Sequence, residues 1–234
     1  MYSLIKYHLA NLQLMLERFH QHLITLNYKK CILCTPFGIL LGHIVCKQGL
    51  LVDPLKISLI LSFPPPTNVK MLQAMLGHMG YYGKFIRGYA AIADPMEKLL
   101  KKDAVFEWNL YFHSSFDMLK AKMASTPILV FPYWNKEFHV HVDASSVALG
   151  VVLVQLGNDD LDHSISFASQ KLSFTKKNYT TTECKGIAMV YALQKFRHYL
   201  LGGHFKMFTD HSTLKYLVNK PVLGGKICRW ILLF

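Results

Sequence analysis

Phe138-His139-Val140-His141-Val142-Asp143-Ala144-Ser145, continued by Ala148-Leu149-Gly150-Val151-Val152-Leu153-Val154, is the stretch on which the fold turns. Phe138, Val140 and Val142 alternate with other residues at the period of a half-buried strand, and the alternation ends on a carboxylate followed by small residues. An acid therefore stands where a strand runs out. Two further carboxylates occupy comparable places. Glu183 opens a long helical pattern after Thr180-Thr181-Thr182, and Asp210 closes the strand-like run Phe205-Lys206-Met207-Phe208-Thr209 before His211. The separations, 183 − 143 = 40 and 210 − 183 = 27 residues, leave room for a hairpin and then a helix. A mixed sheet could bring all three acids together.

Convergent carboxylates repel one another, so a fold that gathers three of them needs divalent cations to neutralise them. Oxygen-only ligands point to magnesium or manganese and away from zinc. Each acid also has an ordinary structural role open to it. Asp143 suits a turn, Asp210 suits the N-cap of a following helix, and Thr180 with Glu183 fits a capping box. The case for a site rests on the set.

Val142-Asp143-Ala144-Ser145, Thr181-Thr182-Glu183 and Thr209-Asp210-His211 resemble the three acidic motifs of the RNase H domain in gypsy-type LTR retrotransposon polyproteins. Gly150-Val151-Val152-Leu153-Val154-Gln155, Ile165-Ser166-Phe167-Ala168-Ser169 and Lys195-Phe196-Arg197-His198-Tyr199-Leu200-Leu201-Gly202 resemble that family too, in the same order and spacing. The resemblance implies that Asp143, Glu183 and Asp210 are catalytic and hold two Mg²⁺ or Mn²⁺ ions about 4 Å apart. One ion would prepare a water and the other would stabilise the departing 3′ oxygen. It also implies that the substrate is the RNA strand of an RNA–DNA hybrid, told from DNA by its 2′-hydroxyls. His211 would order the loop or touch nucleic acid, since metal-bound water needs little help from a general base.

Composition agrees with a folded, nucleic-acid-binding chain. Apolar residues make up 52% and charged residues 17% of 234 residues, which excludes a disordered tail. Lys and Arg outnumber Asp and Glu by 26 to 14, and the formal charge of +12 favours an extended polyanionic partner. The five cysteines, Cys31, Cys34, Cys46, Cys184 and Cys228, are odd in number and irregularly spaced. Cys31-x-x-Cys34 lacks the second pair that a zinc site needs, so reduced thiols in an intracellular compartment, cytoplasmic or nuclear, are expected. Neither a signal peptide nor an apolar run of membrane-spanning length is present, so no membrane partner is expected.

Upstream of the quoted stretch the pattern changes. Leu9, Leu12, Leu16, Phe19, Leu23 and Leu26 mark an amphipathic helix. Ile39 to Val45 and Gly49 to Val52 then read as two strands turning near Lys47-Gln48-Gly49. Residues 1–62, with Lys30-Cys31, Leu41-Gly42-His43 and Asp53-Pro54-Leu55-Lys56, resemble the end of a reverse-transcriptase palm with its primer-grip hairpin. The paired aspartates of the polymerase motif would precede Tyr2, so the chain is expected not to polymerise, and the missing polymerase half is an expected partner. Phe63-Pro64-Pro65-Pro66-Thr67-Asn68 is a rigid break. After it, Thr67 or Asn68 caps a helix with Val69, Leu72, Met75, Leu76 and Met79 on one face. Residues 63–102 resemble the thumb, through Leu76-Gly77-His78-Met79-Gly80-Tyr81-Tyr82-Gly83-Lys84-Phe85-Ile86, which makes Lys84 and Arg87 candidate phosphate contacts. Gly83 stands where the family usually has arginine. Residues 103–135 form a connecting helix, with Phe112, Phe116, Leu119 and Met123 at helical spacing, and a linker.

The expected fold is α/β: an RNase H-like mixed sheet with flanking helices over residues 136–234, preceded by a small α+β palm and thumb remnant. Its helix runs from Thr182 to about Leu200, striped by Ile187, Val190, Tyr191 and Phe196. Three departures from the family stand out. Its fourth carboxylate lies after Arg229-Trp230, on a last helix expected to be cut short at Phe234. Lys177 and Lys185 stand where acids are usual. Gly186 replaces a better helix former, at a cost of about 0.8–1 kcal/mol. Two functions compete: a metal-dependent RNase H-type endonuclease of a reverse transcriptase, and a non-catalytic, element-derived nucleic-acid-binding protein.

Overall fold

The computed structural model describes residues 2–33, 35–173 and 179–210, and divides the chain into two compact units, residues 1–38 and 39–234. The first unit is dominated by α1 (Tyr2–Gln21). The apolar stripe expected there is present, but Leu9 and Leu16 are exposed and Leu12 and Phe19 only half-buried. β1 (Phe37–Leu40) lies at the junction of the two units.

The second unit begins with β2 (His43–Cys46) and β3 (Gly49–Val52), an antiparallel hairpin in register His43 to Val52. The single strand expected from Ile39 to Val45 is interrupted, because Leu41 and Gly42 both take positive φ, 49° and 72°. That pair of left-handed residues makes a tight turn whose twist suits flanking strands. Two tyrosines hold it: the Tyr81 hydroxyl donates to the Leu41 carbonyl at 2.9 Å and the Tyr82 hydroxyl to the Gly42 carbonyl at 3.2 Å. Asp53 caps α2 (Pro54–Leu61), its carboxylate accepting from the Leu55 amide, with proline in the first turn where no amide partner is needed.

Asn68 caps α3 (Val69–Tyr81), its side chain accepting from the Met71 amide at 2.8 Å. Leu72, Met75, Leu76 and Met79 are buried as their spacing requires, while Val69 stays exposed. α4 (Tyr89–Lys98) and α5 (Leu110–Ala124) follow. Phe116, Leu119 and Met123 of α5 join the α3 face, Met96 and the hairpin's Val52 in one core. The hairpin and helices α3 to α5 thus share a single apolar interior.

The second core lies under a four-stranded sheet of order β6-β5-β4-β7, made of β4 (Phe138–Ala144), β5 (Ala148–Leu156), β6 (Asp162–Lys171) and β7 (Phe205–Phe208). β4, β5 and β6 are antiparallel neighbours and β7 runs parallel to β4, so the sheet is mixed as expected. α6 (Thr181–Lys195) and the short α7 (Arg197–Leu200) connect β6 to β7. α6 lays Ile187, Ala188 and Ala192 on Phe138, Val140, Val142 and Leu153. It stops at Lys195, short of the expected Leu200, where Phe196 buries its ring as the C-cap.

β6 has a core on each face. Ile165 and Ala168 point into the α6 core, whereas Phe167 packs on the helical core of α3 to α5. Ser169 Oγ accepts from the Ala90 amide at 2.9 Å, and Lys171 reaches the buried Asp94 at 2.5 Å. Buried Gln155 ties the approach to β4, accepting from the Tyr133 amide and donating to the Tyr133 and Lys136 carbonyls. No helix among the described residues is long and apolar enough to cross a membrane.

Candidate active site

Alternation along β4 sends Phe138, Val140 and Val142 into the core, and therefore His139, His141 and Asp143 to the opposite face. β7 pairs with β4 in register Phe138 to Phe205 through His141 to Phe208. Carried two residues past the end of β7, the same register sets Asp210 beside Asp143. The two acids line one cleft of about 400 Å³ together with Arg87, His141, Gly150 and Phe208. Gly150 pairs directly with Asp143 across β4 and β5, so no side chain projects from that neighbouring position.

Glu183 does not join them as the two-ion arrangement requires. It sits in the first turn of α6, where its carboxylate accepts from the Thr180 amide at 2.9 Å and the Thr180 hydroxyl at 3.0 Å. Thr180 Oγ1 in turn accepts from the Glu183 amide, completing a capping box. Satisfying otherwise unbonded amides at a helix start is the strongest local claim on this acid. Glu183 is not among the residues that line the cleft. Among the described residues no group of three His, Cys, Asp or Glu side chains is placed to hold a metal ion.

Lys185, two residues on and standing where the family usually has an acid, has a partner that motif reading does not give. Its ammonium is bonded to the Asp210 carboxylate; the lysine side chain is 6% exposed and the aspartate 72%. Asp210 thus already carries a cation that belongs to the protein. The signal available in the sequence is a lysine between Cys184 and Gly186-Ile187, among the apolar positions of the helical pattern, a place where a charge needs a partner.

The rest of the sheet face is polar and aromatic. Asp162 bridges two imidazoles, 2.9 Å from both His139 Nδ1 and His141 Nε2. Burial alone would raise the Asp162 pKa, but bonds and charge from His141 and His139 outweigh it and hold the carboxyl below its ordinary value. Phe208 stacks on His141 with ring centres 4.8 Å apart. Lys206 and Glu137 form an ion pair of 2.7 Å at the margin.

Of the two expected phosphate contacts, Arg87 is exposed and lines the acidic cleft, next to Gly88, whose φ of 72° starts α4. Lys84 is half-buried beside the Phe85 ring and lines a second cleft of about 290 Å³ with Tyr89, Ser169, Tyr191 and Lys195. Burial pushes its ammonium pKa down. His211, Cys34, Lys177, Cys228 and the stretch from Arg229-Trp230 to Phe234 lie outside the described residues.

Comparison with known proteins agrees with this architecture. Residues 133–234 match the family described as the RNase H-like domain found in reverse transcriptase. The chain is 40% identical over 224 residues to the retrovirus-related Pol polyprotein from transposon 297 of Drosophila melanogaster, covering 95% of this chain and 21% of that protein. It is 34% identical over 203 residues to the Pol polyprotein from transposon gypsy of the same organism, covering 81% and 19%. Among solved structures, the foamy viral protease-reverse transcriptase in complex with dsDNA superposes with a TM-score of 0.73 at 19% identity, over 87% of this chain and 43% of that one. The same viral protein in complex with RNA/DNA hybrid gives 0.69 over 87% and 28%. The chain spans about a fifth of the length of the curated relatives it matches. Residues 133–234 thus form an RNase H-like domain of the reverse-transcriptase kind, within a chain that is similar along most of its length to one segment of retrotransposon Pol polyproteins.

Proposed function

We propose that the chain serves a Pol polyprotein as its RNase H-type module and takes an RNA–DNA duplex on the sheet face where Asp143 and Asp210 meet. The observation that carries this is that the two line one cleft together with Arg87, past the last paired residues of β4 and β7. Arg87 meets the phosphate backbone, and the net charge of +12 supplies the long-range attraction. Asp143 is the carboxylate of the site that carries no intramolecular cation among the contacts described above. The polymerase half, in this proposal, is supplied by another part of the polyprotein.

RNase H-like domains as a class use divalent metals. The residues as arranged do not fit the expected pair of Mg²⁺ or Mn²⁺ ions, because Glu183 is engaged with Thr180 and Asp210 with Lys185. No hydrolytic step follows from this donor set. The Lys185–Asp210 pair favours a second reading, in which the duplex is bound without turnover. One experiment separates the two: cleavage of an RNA–DNA hybrid with and without Mg²⁺, alongside binding of the same hybrid over a range of salt. Mg²⁺-dependent cleavage lost in Asp143→Asn supports the endonuclease. Salt-sensitive binding without cleavage supports the binding protein, and absence of both removes the nucleic-acid assignment.

A further inference from the structure

We infer that Lys185 is a built-in cation of the acidic cleft, occupying through its ammonium the place at Asp210 that a divalent ion would need. This rests on the cleft being the duplex-binding face proposed above. Three observations carry it. The ammonium is bonded to Asp210, in the cleft that Asp143 also lines. The lysine side chain is 6% exposed and rises from a helix position between Cys184 and Gly186, both buried, so withdrawing the ammonium from Asp210 would leave a largely buried charge without that partner. Arg87 lines the same cleft. Counted with the Lys185 bonded to Asp210, the two carboxylates and Arg87 sum to a formal charge of zero.

The consequence for ligands is specific. A divalent ion entering the cleft competes with a tethered cation whose local concentration is fixed by the fold and cannot be diluted away. A phosphate backbone has no such competitor, because Arg87 meets it directly. The cleft is therefore suited to a polyanion without a bridging metal, and duplex binding by this chain is independent of divalent ions.

The test uses the full chain. Saturable Mn²⁺ binding is measured by calorimetry on the wild type, on Lys185→Gln and on Lys185→Met, and hybrid binding is measured with Mg²⁺ and with EDTA. Removing the lysine is expected to tighten Mn²⁺ binding by about tenfold or more, as removing one adjacent like charge does. The gain is expected to vanish when Asp143→Asn is added. Hybrid affinity of the wild type is expected to be the same in Mg²⁺ and EDTA. Wild-type Mn²⁺ binding as tight as that of the variants, and lost on Asp143→Asn, would overturn the inference while leaving the duplex-binding proposal intact. Collapse of both variants would count against it equally, by making the lysine a requirement of the fold. Failure of the wild type to bind hybrid in either medium would instead sink the proposed function.

Discussion

At Lys185 and Asp210 an ion pair straddles the boundary between core and water, with one partner 6% and the other 72% exposed. A fully buried pair costs about 3–5 kcal/mol when one partner is removed, and an exposed pair close to nothing. Asp210→Asn should fall between, losing about 1–2 kcal/mol, whereas Lys185→Met should be neutral or stabilising because it also removes the buried charge. Urea unfolding of both variants checks the asymmetry. Asp162 gives a second test at this scale. Its folded pKa is depressed by His141 and His139 against the opposing effect of burial, so its stabilisation is present above the unfolded value of about 3.9 and is lost as pH falls through the lower folded value. The stability gap between wild type and Asp162→Asn should therefore close as pH falls below the unfolded value of about 3.9 and through the lower folded one. Asp143 and Asp210 were legible as strand-end acids because two-residue alternation reveals where a strand stops. The Lys185–Asp210 bond was not, since it joins residues 25 positions apart that only the α6 connection brings together.

The start of α6 shows how one element can decide between two roles for the same acid. Thr180 and Glu183 exchange three hydrogen bonds at that start. Thr180→Ala should cost about 1 kcal/mol, the usual worth of an N-cap, measured as a lower urea midpoint with unchanged slope. Sequence offered both the cap and the ligand, and local geometry selects the cap because its partners are three residues away and need no further assembly. Met-rich α3 was legible for the opposite reason: Leu72, Met75, Leu76 and Met79 follow a single helical stripe, and burial obeys it. The break in the strand expected from Ile39 to Val45 was hidden, because leucine at positive φ is an uncommon choice that tertiary bonds from Tyr81 and Tyr82 sustain.

For the molecule as a whole, β6 carries the consequence that reaches furthest. With Phe167 in one apolar interior and Ile165 and Ala168 in the other, a single strand is the party wall between what sequence divides at residue 136. Removing residues 1–135 should uncover Phe167 and leave Ser169 and Lys171 without Ala90 and Asp94. The piece 136–234 should accordingly unfold at lower urea than the full chain and self-associate more readily, which size-exclusion chromatography and paired unfolding curves would show. Conversely, residues 39–210 should melt in one transition. Such joinery sets where a viable break can fall: a fragment of this chain has to keep the neighbours on both sides of its dividing strand, or arrive with a sticky, half-finished surface.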